Sequence, residues 1–313
     1  METTVDFETK SEYEAAYPLL SGKTATARCL KAAEFVDTLF QIANLDQHVF
    51  RGQSRSCWPI IATLFRKDFI AKPAIDRLNA HADDEIARGR FFDGYLQWEQ
   101  AIVTSFAENC LNEGIPLPYI PYNETLKFDT EVVSAYFLAR NYGLPNRLLD
   151  FTTSPTVAAW FAADVERDSD SAMVPDDIVV WAIREDFLSQ FGYEIVSTSW
   201  ANAQIPQMQR QKAVLLVDTS GRENFVTTGK FQPMEYMIED FFRSYERIDP
   251  LDMPIWRVTL PQEEALELQG ILGNYDLSHI YLFPTIENVV RRTLGQFGRF
   301  LTVQSIQDST SRD

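Results

Sequence analysis

Two stretches of this sequence spend polar and charged residues where a core would prefer apolar ones. The first is Phe50-Arg51-Gly52-Gln53. An arginine at the end of a strand-like run, beside a glycine that lets another group approach the backbone, suits a planar fork that grasps a phosphate or carboxylate. The same arginine also suits a structural ion pair, for instance with Asp150, and the residues alone favour neither. The second stretch runs from Asn141 through Tyr142-Gly143-Leu144-Pro145-Asn146-Arg147-Leu148-Leu149-Asp150-Phe151 to Thr152-Thr153-Ser154-Pro155. Asp150 can bind helix amides or pair with Arg51 or Arg147. A hydroxyl before Pro155 is accounted for by helix N-capping, a role compatible with ligand contact. Trp58, Tyr142 and Trp160 have faces that can stack on a planar ring, although core packing is the default for such side chains.

Several familiar sites are absent from the sequence. Ser21-Gly22-Lys23-Thr24 ends like a phosphate-binding loop, but Tyr17 stands where the first glycine belongs. There is no G-x-G-x-x-G and no G-x-S-x-G. The three histidines and three cysteines lack the short spacings of metal sites, so no metal is expected. A Cys57–His nucleophile pair has no local signature behind it. The odd cysteine count, the lack of a signal-like start and the lack of a long apolar run suggest a reduced, cytoplasmic setting away from membranes. With 28 Lys and Arg against 45 Asp and Glu, the net charge of −17 repels phosphate backbones and anionic lipid. Non-specific nucleic-acid binding is therefore disfavoured.

The elements that must position these residues follow from periodicity. Residues 1–26 show no clear period and read as a tail or surface strap, followed by one domain over 27–296 and a tail over 297–313. Leu30, Phe35, Leu39 and Ile42 keep helical spacing and deliver the chain to a strand at His48–Gly52. A helix is expected over about 82–112, with Ile86, Phe92, Leu96, Val103, Phe106 and Cys110 recurring. A third helix carries Val132, Val133, Tyr136, Phe137 and Arg140 and closes at Gly143 through a left-handed cap. Arg147–Phe151 reads as a strand, and Pro155 opens a helix presenting Val157, Trp160 and Phe161. Strands are expected at 178–183, 194–199, 213–218 and 255–260, with helices near 184–191, 233–246, 262–272 and 285–296. Helices cluster early and strands late, so the fold class is α+β. Glu235, Glu239 and Asp240 read as a solvated helix face.

Taken together, Phe50-Arg51-Gly52-Gln53, Trp58-x-Ile60, Leu64-Phe65-Arg66, the Tyr142–Pro155 run and Trp160-Phe161-Ala162 resemble the FRG domain. Leu268 to Leu272 and Leu282-Phe283-Pro284 are similar to the tail of longer members, so the resemblance spans about 35–295. It is strongest over 48–66 and 140–162. The family usually has Gln-His before Tyr-Gly-Leu-Pro-Thr-Arg, whereas this chain has Arg140, Asn141 and Asn146 at the variable places.

A second resemblance is to ADP-ribosyltransferases, through their arginine, hydroxyl and glutamate elements. It implies an ADP-ribosyltransferase-like mixed or antiparallel β core with N-terminal and peripheral helices, and NAD as substrate. The implied binding set is Arg51, Gly52, Tyr142, Arg147, Asp150, Thr153 and Ser154, and the implied catalytic set is Arg51, Ser154 and Gln211. Arg51 would hold phosphate, Thr153 and Ser154 would shape the nicotinamide pocket, and Gln211, within Gln209-Arg210-Gln211, would stand where the family has glutamate. A glutamine can hydrogen-bond a ribose hydroxyl but offers less stabilisation to a developing cation. The resemblances together imply an effector that transfers ADP-ribose or cleaves NAD, of a bacterial toxin or phage-defence kind, acting on an unidentified macromolecular acceptor. The alternative is a non-catalytic module that senses a nucleotide or a protein partner.

Overall fold

The computed structural model describes residues 25–66, 84–117, 130–164, 177–196, 205–242 and 253–285. Within them the strands are β1 (Ala25–Arg28), β2 (His48–Gln53), β3 (Leu148–Thr152), β4 (Asp177–Arg184), β5 (Tyr193–Val196), β6 (Ala213–Asp218) and β7 (Ile255–Pro261). The helices are α1 (Ala32–Leu45), α2 (Glu85–Asn112), α3 (Thr130–Asn141), α4 (Pro155–Ala163), α5 (Pro206–Arg210), α6 (Gly221–Thr228), α7 (Met234–Phe242), α8 (Ala265–Gly273) and α9 (His279–Leu282). The strands form one mixed sheet in the order β1-β7-β4-β2-β3-β6-β5, antiparallel at every pairing except β1 with β7. This is an α+β arrangement.

Alternation along β4 explains why helices cover both faces of the sheet. Ile178, Val180 and Ala182 join a core built with Phe35 and Leu39 of α1, Ala158 and Ala162 of α4, and Leu268 and Leu272 of α8. Val179, Trp181 and Ile183 point the other way, toward Phe92 and Tyr95 of α2, Phe225 of α6 and Ile238 of α7. A strand apolar at every position cannot face water on either side. Beyond β3, Leu215 and Val217 of β6 pack with Val103 of α2 and with Tyr136 and Phe137 of α3.

The pairing at the centre of the sheet is uneven. β2 runs in register with β4 from His48 to Gln53, and β3 with β6 from Leu148 to Thr152. Between β2 and β3 the ladder has a single pair, Phe50 with Thr152. The sheet is thus two well-paired halves that diverge along β2 and β3, and the divergence leaves a wedge of space beside Arg51.

Gly52 has a packing reason as well as a place in the motif. A Cβ there would stand 1.8 Å from the backbone carbonyl oxygen of Ala158, so the close seat of α4 on β2 excludes every side chain. The group that approaches this backbone is helix α4. Gly52→Ala is expected to cost about 1–3 kcal/mol through overpacking, because a helix backbone must move. Chemical denaturation of the variant measures this, and an unchanged midpoint would contradict the close seat.

Several expectations need correction. Residues 25 and 26, expected in the tail or strap, belong to β1, which pairs with β7. A four-residue edge strand leaves little periodic signal, and helical spacing begins only with Phe35 in α1. Ile86 is exposed on α2 and lies off its buried stripe. Glu235 and Glu239 are buried, and the Glu235 carboxylate accepts from the Ile60 amide at 3.0 and 3.3 Å; only Asp240 of that run is exposed. Residues 1–24, 197–199, 243–246 and 286–313, which carry the tails, the helix expected at 285–296 and the ends of two other elements, lie outside the described residues.

Candidate functional site

The wedge between β2 and β3 opens into a cleft of about 240 Å³. Phe50, Arg51 and Gly52 form one wall, and Asp150, Phe151 and Thr152 form the facing one. Phe161 of α4 and Phe283 close one side, Gln211 and Met208 another, and Arg140 and Asn141 of α3 the last. Among the described residues three charged ones line it, Arg51, Arg140 and Asp150, and these carry an excess of positive charge in an acidic chain.

Arg51 spans the divergence. Its Nη1 donates to the Asp150 carbonyl oxygen at 2.6 Å, supplying across the gap a backbone link that the ladder lacks. Its guanidinium carbon lies 5.9 Å from the centre of the Phe151 ring. Its Nε is buried and has no hydrogen-bond partner. Burial pulls this guanidinium down to about 10, against the opposing pull of the Asp150 carboxylate, and it stays charged at neutral pH.

Arg140 arrives through the end of α3. Gly143 takes φ of 82° and the Leu144 amide donates back to the Ala139 carbonyl at 3.0 Å, the left-handed cap that Gly-Leu-Pro predicts. Asn146, fully buried, then accepts from the Leu148 amide at 3.1 Å and donates to the Tyr136 carbonyl at 3.4 Å. This stitch ties the middle of α3 to the start of β3 and brings the helix end that carries Arg140 beside the strand that carries Asp150. Arg140 consequently forms an ion pair with the Asp150 carboxylate and donates to Thr63 Oγ1 at 2.9 Å. Asp150 is thus an ion-pair partner, of Arg140 and of neither Arg51 nor Arg147.

Gln211 caps α5 and faces the cleft. Its side-chain nitrogen donates to the Leu282 carbonyl at 3.3 Å, and its own carbonyl accepts from the Thr152 hydroxyl at 2.7 Å. Phe283 is held by ring contacts with Trp160, Phe161 and His279, the last with centroids 4.8 Å apart. Trp160 packs in that cluster and does not line the cleft.

The structure therefore gathers Arg51, Gly52, Asp150 and Gln211 around one space. The other residues expected there lie elsewhere. Arg147 turns away to Glu99 of α2, whose two oxygens accept from the Arg147 amide at 2.7 Å and Nε at 2.8 Å. Glu99 is 0% exposed, so this pair is a buried brace. Tyr142 is 70% exposed and off the cleft walls, because the left-handed turn at Gly143 leaves it on the outside of the bend. Thr153 is exposed on a different, shallow depression beside His48. Ser154 is the N-cap residue of α4 by position, but its hydroxyl bonds Thr156 Oγ1 at 3.0 Å and makes no contact with a helix amide. The hydroxyl residue on the cleft wall is Thr152, one step earlier. Arg140, Thr152, Phe161 and Phe283 were not singled out as site residues from sequence, and the helical spacing of Arg140 from Tyr136 and Phe137 is the signal that places it inward.

Chemically, this is a site for an anion attached to something planar. Two guanidiniums offer charge-assisted donors, two aromatic rings offer faces, and Gln211 offers a neutral amide. Residues 46–171 match the family model of the FRG domain, a span that holds β2, α3, β3 and α4 and with them both arginines. No curated protein and no solved structure matches the chain.

Proposed function

Because residues 46–171 match the FRG domain model, and because two strands of that span diverge around a cleft, we propose that the cleft binds NAD or a related nucleotide and that the protein is an ADP-ribosyltransferase-like effector. The observation that carries the reading is Arg51, a guanidinium at the floor of the cleft with one buried N–H unpaired. Buried donors in folded proteins are nearly always paired, and a phosphate oxygen is a strong partner for this one. At about 240 Å³ the cleft is smaller than the roughly 300–1,000 Å³ of typical ligand pockets, so it would enclose one end of a dinucleotide.

In this reading Arg51 holds phosphate and the rings of Phe161 and Phe283 flank nicotinamide. The bond from the ribose anomeric carbon to the nicotinamide nitrogen breaks with its electron pair going to nitrogen. Neutral nicotinamide leaves, and an oxocarbenium-like sugar remains. Water, or a nucleophile of a macromolecular acceptor, then bonds to that carbon and loses a proton. Gln211 orients the ribose through a hydroxyl. The biological setting we propose, from family resemblance alone, is that of a toxin or phage-defence component.

A specific observation favours a second reading, a nucleotide sensor without turnover. Gln211 has no charge to stabilise the sugar cation, and its side-chain nitrogen is already committed to Leu282. Release of free nicotinamide from NAD separates the two. The enzyme reading predicts release by the wild type, a fall in Gln211→Ala, and a rise of about tenfold or more in Gln211→Glu, since a carboxylate there meets charge that develops only in the transition state. The sensor reading predicts no release but a raised melting temperature with NAD. Neither release nor stabilisation would overturn both.

A further inference from the structure

We propose that the cleft takes a diphosphate, carrying two negative charges or more, between two guanidiniums, Arg51 and Arg140, and that the Asp150 carboxylate is a placeholder which this ligand displaces. The inference rests on the reading above for the location of the ligand and adds its charge, a second arginine and an exchange of partners.

The fold contains its own standard of comparison. In the brace between Glu99 and Arg147 the carboxylate is wholly buried, and it satisfies both the amide and the Nε of its arginine. The pair between Asp150 and Arg140 differs on each count. The Asp150 side chain is 50% exposed while that of Arg140 is 11% exposed. The carboxylate pairs with Arg140 Nη2 and not with its Nε, which is buried without a partner. Arg51, which lines the same cleft, also has a buried Nε without a partner. A pair built only to neutralise Arg140 would bury its acid, as the brace does, and would leave no buried guanidinium nitrogen without a partner.

The geometry has the character of an ion exchange. A half-exposed carboxylate can return to water at little desolvation cost, whereas the guanidinium it leaves cannot. Two guanidiniums against one carboxylate leave a positive excess, which the two charges of a diphosphate bridge arriving with release of the carboxylate would neutralise. Phosphate oxygens also match the fork geometry of arginine, and two planar forks can address two phosphates of a pyrophosphate bridge. Arg51 remains tied to the Asp150 backbone carbonyl throughout, so the exchange leaves the link across the strands intact.

Inorganic pyrophosphate titrated into the full chain, with NAD titrated in parallel, tests the proposal. Asp150→Asn keeps the backbone carbonyl and removes the competing charge, so pyrophosphate should bind roughly fivefold tighter or more. Arg140→Gln should bind it about tenfold weaker or worse. A merely structural pair predicts no gain of affinity in Asp150→Asn, a readout that survives even if the Arg140 variant folds poorly. Unchanged or weaker pyrophosphate binding by Asp150→Asn, with NAD still bound by the wild type, overturns the clamp and spares the nucleotide reading. Failure of the wild type to bind either compound overturns both.

Discussion

Arg51→Lys is expected to weaken NAD binding by roughly ten- to a hundredfold while leaving the folded state nearly as stable as the wild type. The substitution separates two duties of one side chain. As a link between diverging strands, Arg51 needs a single donor for the Asp150 carbonyl, and a lysine ammonium supplies one. As a holder of phosphate, it needs further donors in a fixed plane beyond the one already spent on that carbonyl, and lysine has none pre-arranged. Arg51→Ala loses both duties. It leaves the Asp150 carbonyl unsatisfied, which costs about 1–3 kcal/mol of stability in addition to the ligand. Calorimetric titration beside thermal melts of the two variants checks this. Full NAD affinity in Arg51→Lys would reduce the residue to scaffolding.

Glu99→Gln is expected to be the most damaging single change to stability, at about 3–5 kcal/mol, because it strands the buried Arg147 charge. For a chain of this size that corresponds to a fall in melting temperature on the order of 10 °C. Burial itself pushes the Glu99 carboxyl upward, while the charge and hydrogen bonds of Arg147 oppose the shift. The double change Glu99→Leu with Arg147→Met should recover much of the loss, since removing both charges leaves neither stranded. If Glu99→Gln melts like the wild type, the brace is not a buried ion pair in solution. The effect reaches the cleft as well, because Glu99 fixes the Arg147 amide at the threshold of β3, three residues before Asp150.

Much of this architecture is written locally in the chain. The Gly143-Leu144-Pro145 stop, the Pro155 start, and β4, β6 and β7 all follow from short-range rules of period, cap and turn. Arg51 and Gly52 also announce themselves, although the close approach that requires the glycine turns out to be by a helix carbonyl. What escapes local reading is pairing at a distance. Glu99 sits on the stripe of Phe92, Leu96 and Val103 among polar neighbours Gln97 and Gln100, and nothing near it in the chain marks it as buried, because its partner lies 48 residues away. Arg147 looks like part of the binding run for the same reason. Glu235 reads as solvated because the Ile60 amide it satisfies lies 175 residues earlier. The divergence of β2 from β3, which creates the cleft, is a property of two strands each held more firmly by its outer neighbour. No window of either strand carries it.

Hydrogen exchange of the wild-type chain with and without saturating NAD tests the central claim most directly, since it reports where a ligand binds whether or not it is turned over. Backbone along the sparsely paired edges of β2 and β3 should open more readily than their well-paired sides. Binding in the cleft predicts slowed exchange at peptides covering Phe50–Gly52, Asp150–Thr152, Arg140–Asn141, Met208–Gln211 and the segment around Phe283, and not elsewhere. Unchanged exchange at both strands, or protection only at other surfaces, would contradict the assignment of this cleft as the ligand site.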